Sequence, residues 1–219
     1  MKEYPKINSI FKRDEETHKF IMGQWSQPEF EYLQNNEWIY TEKINGTNIR
    51  VCWYPRGPDI GIQISQNPCA PLLEFKGKTD NAQAIKFLWD KLGEIFTIDL
   101  MMQVFPSADV CLYGEGYGAR IQGGGNYIPN GVDFVLFDIL IGHWWLKRID
   151  IEEIANKLGI RIVPIVGRGS IQDAIYLVQG GLLSRWGNFK AEGLVLKPAI
   201  DLIARNGQRI ITKMKWKDF

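Results

Sequence analysis

A lysine stands at the end of an aromatic and β-branched stretch, just before a glycine turn. The stretch is WIYTEK, residues 38–43, and Lys43 is followed by Ile44, Asn45 and Gly46. A Lys-x-polar-Gly tetrapeptide is common by chance, so the plain alternative is an exposed lysine beside a turn. The position is more informative, because a glycine turn at the end of a strand lets the main chain approach a ligand closely. Lys43 is therefore the first candidate to meet a ligand.

A glycine-rich segment follows the first half of the chain and contains a carboxylate. Glu115 lies in YGEGYGAR, residues 113–120, where it ends a predicted strand and can point into a cleft. The glycine spacing is not GxGxxG and no capped helix follows, so a dinucleotide-binding fold is disfavoured. A flexible surface loop is the alternative for the segment as a whole. Glu115 is harder to dismiss than the loop around it.

Within a strand predicted at 133–141, the almost entirely apolar segment at residues 134–139 is interrupted by one acid. Alternation predicts that Phe137 and Asp138 face opposite sides of the sheet. A buried aspartate needs a partner. Taken alone, the strand favours Phe137 as ordinary core, with an aromatic platform for a base as the alternative.

Three lysines recur at every second position near the end of the chain. Alternation in a predicted strand at 209–216 places Lys213, Lys215 and Lys217 on one face. Like charges in a row repel, so such a face suits solvent or an anion. The alternative is a solvated edge strand whose lysines deter aggregation.

Turn and capping signals place these residues on strands and helices. Asn45-Gly46 between two alternating runs predicts a hairpin over residues 38–54. The other predicted elements are strands at 60–65, 110–113, 133–141, 193–197 and 209–216, and helices that open at Asp80, Asp150 and Ser170. Because the strands cluster as hairpins, we expect an α+β fold with mainly antiparallel sheet, and a doubly wound parallel sheet fits less well. Without a linker or repeat, residues 1–219 are expected to form a single domain.

Composition excludes several classes of protein. The 219 residues are 45% hydrophobic, and 26 basic against 25 acidic residues leave a formal charge of +1. This balance argues against a histone-like polyanion binder. The three cysteines and two histidines show no zinc-binding spacing. The sequence shows no signal peptide and no apolar run long enough to cross a bilayer, so we expect no membrane association and a cytoplasmic protein with reduced thiols.

Five short motifs in a fixed order carry a family resemblance. They are KxxG at 43–46, YGE at 113–115, LFDI at 136–139, EGLVLK at 192–197 and KxK at 213–215. No single motif is specific, but the ordered set resembles the covalent nucleotidyltransferases, which comprise ATP-dependent DNA and RNA ligases and mRNA capping enzymes. The strings EKINGTN, GEGYGAR and AEGLVLK look most like RNA ligases of the phage T4 RNA ligase 2 type. The resemblance implies a ligase adenylation core of mainly antiparallel sheets flanked by helices, with no OB-fold.

The same resemblance implies a lysyl-adenylate mechanism. Lys43 would attack the α-phosphorus of ATP, while Lys213 and Lys215 would contact the phosphates and supply positive charge that activates the amine. Glu192 would bind Mg²⁺ or Mn²⁺. AMP would then pass to a 5′-phosphate, and a 3′-hydroxyl would displace it to join the strands.

Other matching positions are implied to bind the nucleotide. Glu115 would accept a hydrogen bond from the ribose, and Phe137 would stack on adenine, which reverses the core interpretation of that residue. Lys78 stands where the family usually has an arginine that touches ribose, so the bidentate fork is lost. The remaining implied contacts come from Glu42, Ile44, Asn45, Gly46, Asn48 and Lys197. Asn45 occupies a position that is usually Asp in DNA ligases and capping enzymes and often His in the RNA ligase 2 group.

The partner is expected to be RNA, in a nicked duplex or an RNA/DNA hybrid, bound by a monomer. With no second domain expected after the last motif, we expect the core itself to grip the polynucleotide. From Ser184 onward basic residues outnumber acids, which predicts a phosphate-tracking surface. The basic residues are Arg185, Lys190, Lys197, Arg205, Arg209, Lys213, Lys215 and Lys217, against Glu192, Asp201 and Asp218. The alternatives are a minimal DNA ligase, a GTP-using guanylyltransferase of the capping type, and a non-catalytic nucleotide-binding or RNA-binding module.

Overall fold

The structure is a computed structural model that describes residues 2–57, 70–78 and 86–219. It divides into two compact units, one of Met1–Tyr4 with Asn45–Ile162, and the other of Pro5–Ile44 with Val163–Phe219. We call them unit 1 and unit 2. The predicted strand at 60–65 and the predicted helix start at Asp80 lie outside the described residues.

Short strands and helices alternate irregularly along the described chain. The strands are Asn8–Ser9 (β1), Phe11–Arg13 (β2), Phe20–Trp25 (β3), Trp38–Glu42 (β4), Thr47–Tyr54 (β5), Leu72–Lys76 (β6), Val110–Gly118 (β7), Val132–Ile141 (β8), Trp144–Trp145 (β9), Arg161–Ile162 (β10), Ile165–Gly169 (β11), Gly193–Pro198 (β12) and Thr212–Lys215 (β13). The α-helices are Pro28–Tyr32 (α1), Lys86–Ile95 (α2), Ile98–Val104 (α3), Arg148–Leu158 (α4) and Ile171–Gln179 (α5). Short 3₁₀ helices cover Gly124–Asn126 and Trp216–Asp218.

Unit 1 is built on a sheet of order β10-β8-β7-β5-β6, with β9 paired to the C-terminal end of β8. All its described pairings are antiparallel except β10 with β8. Every second residue of β5, Ile49, Val51 and Trp53, is fully buried in a core with Leu88 and Leu92 of α2. This period-2 pattern against a helix face explains why one side of the sheet is apolar and the other carries polar side chains.

Unit 2 contains a sheet of order β1-β13-β12-β4-β11, and a separate β2–β3 ribbon. β12 lies between β13 and β4 and pairs with both in antiparallel fashion. Its Leu194 and Leu196 are buried in a core with α5. α5 begins as predicted, because Ser170 and Asp173 form a capping box that satisfies main-chain donors at the helix start.

The predicted hairpin at Asn45-Gly46 is wrong. β4 pairs with β12 and β11, whereas β5 pairs with β6 and β7, so the two runs belong to different sheets. The physical reason is that each run pairs with strands far away in the sequence. Gly46 between them packs on β7, where an added Cβ would come within 2.8 Å of the Glu115 side chain and would clash with the carbonyl of Gly116. The turn packs on β7 and leads the chain from one sheet into the other.

The alternation predicted for Phe137 and Asp138 is also wrong. Tyr113 pairs with Asp138 but Gly114 pairs with Leu136, so Phe137 is an extra residue in β8 and forms a β-bulge. A bulge breaks the period of two, and both Phe137 and Asp138 contact Tyr4. The buried Asp138 does have the partner that its burial requires, since the Tyr4 hydroxyl donates a hydrogen bond to it at 2.8 Å.

Several element boundaries differ from their predictions. β7 runs on to Gly118, so Glu115 lies within the strand instead of ending it. α4 begins at Arg148 rather than at Asp150. β13 ends at Lys215, and Lys217 lies in the following 3₁₀ helix, so it does not share the strand face of the other two lysines. The strands predicted at 133–141 and 193–197 correspond closely to β8 and β12.

The two cysteines that the structure describes form a buried pair. Cys52 and Cys111 are directly opposite on β5 and β7, with their sulfur atoms 3.7 Å apart and no disulfide between them. Across the described chain, no helix has both the length and the apolar character needed to span a membrane.

Candidate active site

Three predicted site residues meet in unit 2. Lys43 Nζ lies 2.7 Å from Glu192 Oε2, and Lys215 Nζ lies 2.5 Å from Glu192 Oε1. The three side chains are 12–23% exposed, so the cluster is shielded from bulk water yet reachable from it. One carboxylate therefore holds two lysine amines, and the cluster carries a net positive charge suited to an anion.

Strand pairing brings these residues together from distant parts of the sequence. The Lys43 N–H donates a hydrogen bond to the Gly193 carbonyl at 2.9 Å, and Gly193 lies opposite Lys215 on β13. A side chain at Gly193 would collide with the carbonyl of Met214, so only glycine allows the two strands to approach this closely. The dipeptide Glu192-Gly193 thus combines a carboxylate with the glycine whose close strand contact positions it.

Glu42 lies on the buried face of β4 and has a structural contact. Its side chain is 1% exposed, and its Oε2 accepts a hydrogen bond from the Arg185 N–H at 2.9 Å. Ile44 is also buried. Both residues fix the main chain on either side of Lys43, and Glu42 ties the segment around Arg185 to this strand.

Lys213 and Lys197 lie on the same half-buried sheet face. Lys213 pairs with Val195, and Val195 pairs in turn with Thr41. Lys197, two residues along β12 from Val195, pairs with Ile39. This face therefore carries three lysines of the predicted set, Lys197, Lys213 and Lys215.

Unit 1 brings together another group of predicted residues. Asn48 and Glu115 are directly opposite each other on β5 and β7, and Gly46 packs against Glu115. The Asn48 Oδ1 atom is buried and makes no hydrogen bond to any described residue. A buried amide oxygen without a donor is costly, which marks this position as one that a ligand would satisfy. The Asn45 side chain packs on Gly123 of the glycine-rich segment.

Phe137 is half-buried and held by the N-terminal segment. The ring of Tyr4 meets it edge-on with centroids 5.0 Å apart, and Tyr4 also packs on Tyr113 and Trp145. The Tyr113 hydroxyl donates a hydrogen bond to the Lys2 carbonyl at 2.7 Å. These contacts fix the ring orientation at Phe137 from one side.

Lys78 is exposed just beyond β6, beside an anchored main chain. The fully buried Arg50 donates from Nε to the Gly77 carbonyl at 2.9 Å, which holds the residue before Lys78. Sequence reasoning missed both Arg50 and Tyr4. The signal for Arg50 was a lone arginine within an otherwise buried strand; for Tyr4, which lies far from every motif, we find none.

The residues present fit a metal ion that is bound together with phosphates. Within the described ranges, no cluster of three or more His, Cys, Asp or Glu side chains is placed to hold a metal ion. Mg²⁺ and related ions are, however, often held by one or two carboxylates plus substrate phosphates. Glu192 supplies one such carboxylate beside cationic side chains that attract the phosphates.

Solved structures share this fold. A Naegleria gruberi RNA ligase mutant with ATP and Mn aligns with a TM-score of 0.63 and 19% identity, covering 97% of this chain and 57% of that one. A mutant of the same enzyme with AMP and Mn aligns with a TM-score of 0.61 and 20% identity, covering 97% of this chain and 57% of that one. The enzyme with PPi aligns with a TM-score of 0.61 and 19% identity, covering 97% of this chain and 61% of that one. This chain thus spans 57–61% of the length of these structures.

The RNA ligase family model matches residues 36–216, which include all five motifs. The chain belongs to the RNA ligase family. The predicted α+β ligase fold and the predicted family are both confirmed. The narrower assignment to the T4 RNA ligase 2 type stays a prediction.

Proposed function

We propose that the protein is an ATP-dependent RNA ligase that joins 3′-OH and 5′-phosphate ends through a lysyl-AMP intermediate and a 5′-adenylylated strand. The observation that carries the proposal is the contact of Lys43 and Lys215 with one carboxylate, Glu192, in a chain of the RNA ligase family. Both units, residues 1–219, act in this proposal as a single adenylyltransferase domain.

Lys43 is the proposed nucleophile. Its neutral amine attacks the α-phosphorus of ATP, a P–N bond forms, and the bond to the pyrophosphate oxygen breaks. An ammonium has no lone pair and cannot attack, so Lys43 must lose a proton before the P–N bond forms. The neutral amine can still donate an N–H to Glu192, which lies 2.7 Å away. The hydrogen bond from the Lys43 N–H to Gly193 keeps the main chain in place meanwhile.

The leaving pyrophosphate is stabilised by lysines of the same sheet face. Lys213 and Lys215 lie two residues apart on β13, and Lys197 lies on the neighbouring strand. Fixed positive charge is worth most where negative charge develops, here on the leaving phosphates. Glu192 keeps Lys215 in position through its other oxygen.

The nucleoside is bound by the unit 1 residues. Glu115 accepts a hydrogen bond from the ribose, Phe137 stacks on adenine, and Lys78 touches the ribose in the role that the family gives to arginine. The orphaned Oδ1 of Asn48 receives a donor from the nucleotide or the reacting ends. The main chain at Asn45 and Gly46 closes against the ligand, and Glu42 and Ile44 hold the main chain on either side of Lys43.

A divalent ion, Mg²⁺ or Mn²⁺, would be held by Glu192 and would neutralise phosphate charge. Naegleria gruberi RNA ligase has been solved with ATP and Mn and with AMP and Mn, which supports this part of the proposal. The RNA partner, as a nicked duplex or an RNA/DNA hybrid, is bound through basic residues of the C-terminal third. The proposed ligase works as a monomer in the cytoplasm.

The test is covalent labelling with ATP that carries a radioactive α-phosphate. The wild-type chain with Mg²⁺ should take up label that survives denaturing electrophoresis, whereas Lys43→Ala and Lys43→Arg should take up none, since a guanidinium is not a nucleophile. Lys91→Ala is the matched control, because Lys91 is an exposed lysine on α2. Wild-type protein without label, or label that survives Lys43→Ala, would overturn the proposal. Preferential labelling by GTP would favour a capping-type guanylyltransferase instead.

A further inference from the structure

An exposed tryptophan directly follows the last lysine of the site. Trp216 is 46% exposed, although large aromatic side chains usually bury most of their surface. Its main-chain N–H donates a hydrogen bond to the Glu192 carbonyl at 3.1 Å. The main chain that carries the ring is thus joined to Lys215 through the peptide bond and to Glu192 through this hydrogen bond.

The turn that carries Trp216 is clamped. Asp218 is 1% exposed, accepts a hydrogen bond from the Lys215 N–H at 2.9 Å, and forms an ion pair with Arg13 at 2.8 Å. Lys19 Nζ donates to the main-chain oxygens of Lys217 and Phe219. An aromatic ring exposed on a fixed turn is pre-organised for contact, because little conformational entropy is lost when a ligand packs on it.

A basic side chain accompanies the ring. Lys190 Nζ lies 4.1 Å from the centroid of the Trp216 indole, within the range of a cation–π contact. The main chain at Lys190 is held by a β-bridge to Leu183. Because the ammonium lies over one face of the indole, a base can stack on the opposite face while a neighbouring phosphate of the strand meets the ammonium.

We propose that Trp216 and Lys190 form a stacking subsite for one nucleobase of the RNA strand beside the reacting end. The inference rests on the proposed function, because it takes the cluster around Glu192 as the place where ends are joined. The ring supplies stacking that is independent of base identity, and Lys190 contacts the adjoining phosphate. The subsite acts on RNA binding and not on the reaction with ATP.

The test separates the two ligands. Trp216→Ala should bind a 5′-phosphorylated RNA oligonucleotide about tenfold more weakly and seal it correspondingly less at subsaturating RNA. Lysyl-AMP formation from ATP, measured without RNA, should remain at the wild-type rate. Trp216→Phe should recover most of the affinity, because it keeps an aromatic face. Lys190→Gln should weaken binding and lower the salt dependence of the affinity by about one counterion.

A series of RNAs with one abasic nucleotide at successive positions locates the stacked base. One abasic position should weaken binding to the wild type about as much as Trp216→Ala does, and the two losses should not add in the double change. Trp144→Ala is the matched control, since Trp144 is 80% exposed but lies on β9 of unit 1. It should bind all the RNAs as the wild type does.

Three outcomes would overturn the subsite. They are wild-type RNA affinity in Trp216→Ala, a parallel loss of lysyl-AMP formation, and abasic losses that add to the substitution at every position. The second would point to a structural role or to stacking on the base of ATP. RNA binding is measured without catalysis, so wild-type protein that takes no label would contradict the proposed function while the binding comparison still decides the subsite.

Discussion

Lys43 Nζ lies 2.7 Å from Glu192 Oε2, and the other oxygen of this carboxylate contacts Lys215. Both carboxylate oxygens of Glu192 therefore contact a lysine, and a metal ion would compete with these lysines for the same oxygens. In the proposed reaction Glu192 would orient Lys43, position Lys215 for phosphate binding and offer a hard oxygen ligand to a metal ion. A substitution here should affect catalysis far more than folding.

We expect Glu192→Gln to slow lysyl-AMP formation about 10–100-fold, because the amide loses the charge that holds both lysines and the metal. Glu192→Asp keeps the charge on a shorter side chain, so its rate of lysyl-AMP formation should lie between those of the wild type and Glu192→Gln. Single-turnover labelling over a range of Mg²⁺ concentrations measures both. Glu94→Gln, which removes an exposed acid on α2, should label normally. A wild-type rate in Glu192→Gln would remove this carboxylate from the mechanism.

Two glycine substitutions should differ in their effects, because Gly93 has free space around it and Gly46 is closely packed. Gly93→Ala should raise the free energy of unfolding by about 0.5–1 kcal/mol, because Gly93 lies within α2 and an added Cβ meets nothing within 4 Å. Gly46→Ala should instead lower the free energy of unfolding, because its Cβ would clash with the Gly116 carbonyl. It should also raise the KM for ATP, because the same Cβ would lie 2.8 Å from the Glu115 side chain and displace it. Denaturant unfolding and labelling at varied ATP measure the two effects. Unchanged ATP dependence in Gly46→Ala would separate this turn from nucleotide binding.

The sequence allowed the motif residues and most strands to be predicted, but not the sheets to which the strands belong. The alternating runs on either side of Asn45-Gly46 have the local signature of a hairpin. Their actual partners, β12 for β4 and β7 for β5, lie far away in the sequence, where local turn chemistry carries no information. Pairing with these distant strands, rather than the turn sequence, determines the sheet to which each run belongs.

The contact among three motif residues agrees with the family resemblance of the motifs. Lys43, Glu192 and Lys215 were singled out in the sequence, and the structure places them in contact. The bulge at Phe137 was not predictable, because one extra residue in a ladder leaves the apolar pattern almost unchanged. The packing of Tyr4 on that bulge depends on the same irregularity.

Asp218 should be more important for stability than any exposed acid. It is 1% exposed, forms an ion pair with Arg13 and accepts a hydrogen bond from the Lys215 N–H. Asp218→Asn removes the negative charge, so the Arg13 guanidinium loses its ion-pair partner. We expect a loss of about 3 kcal/mol in the free energy of unfolding, measured by denaturant titration. Glu94→Gln, in an exposed helix pair, should change it by less than about 0.5 kcal/mol. Equal effects in the two variants would contradict the assignment of Asp218 as a buried anchor.

Stability should fall in strong alkali because buried tyrosines resist ionisation. Burial raises the pKa of Tyr54 to about 12 and, more strongly, raises the pKa of Tyr113, whereas an unfolded tyrosine titrates near about 10. Above about pH 10 the folded state then holds more protons than the unfolded one, so the free energy of unfolding decreases as pH rises, with no such contribution below that pH. Denaturant unfolding from about pH 8 to about pH 11 measures the decline. Tyr113→Phe should be less stable at the lower pH, through its lost hydrogen bond to Lys2, yet decline less steeply. Tyr32→Phe, at an 86% exposed position, should follow the wild type, and an equal slope in all three proteins would exclude Tyr113 as a source of the effect.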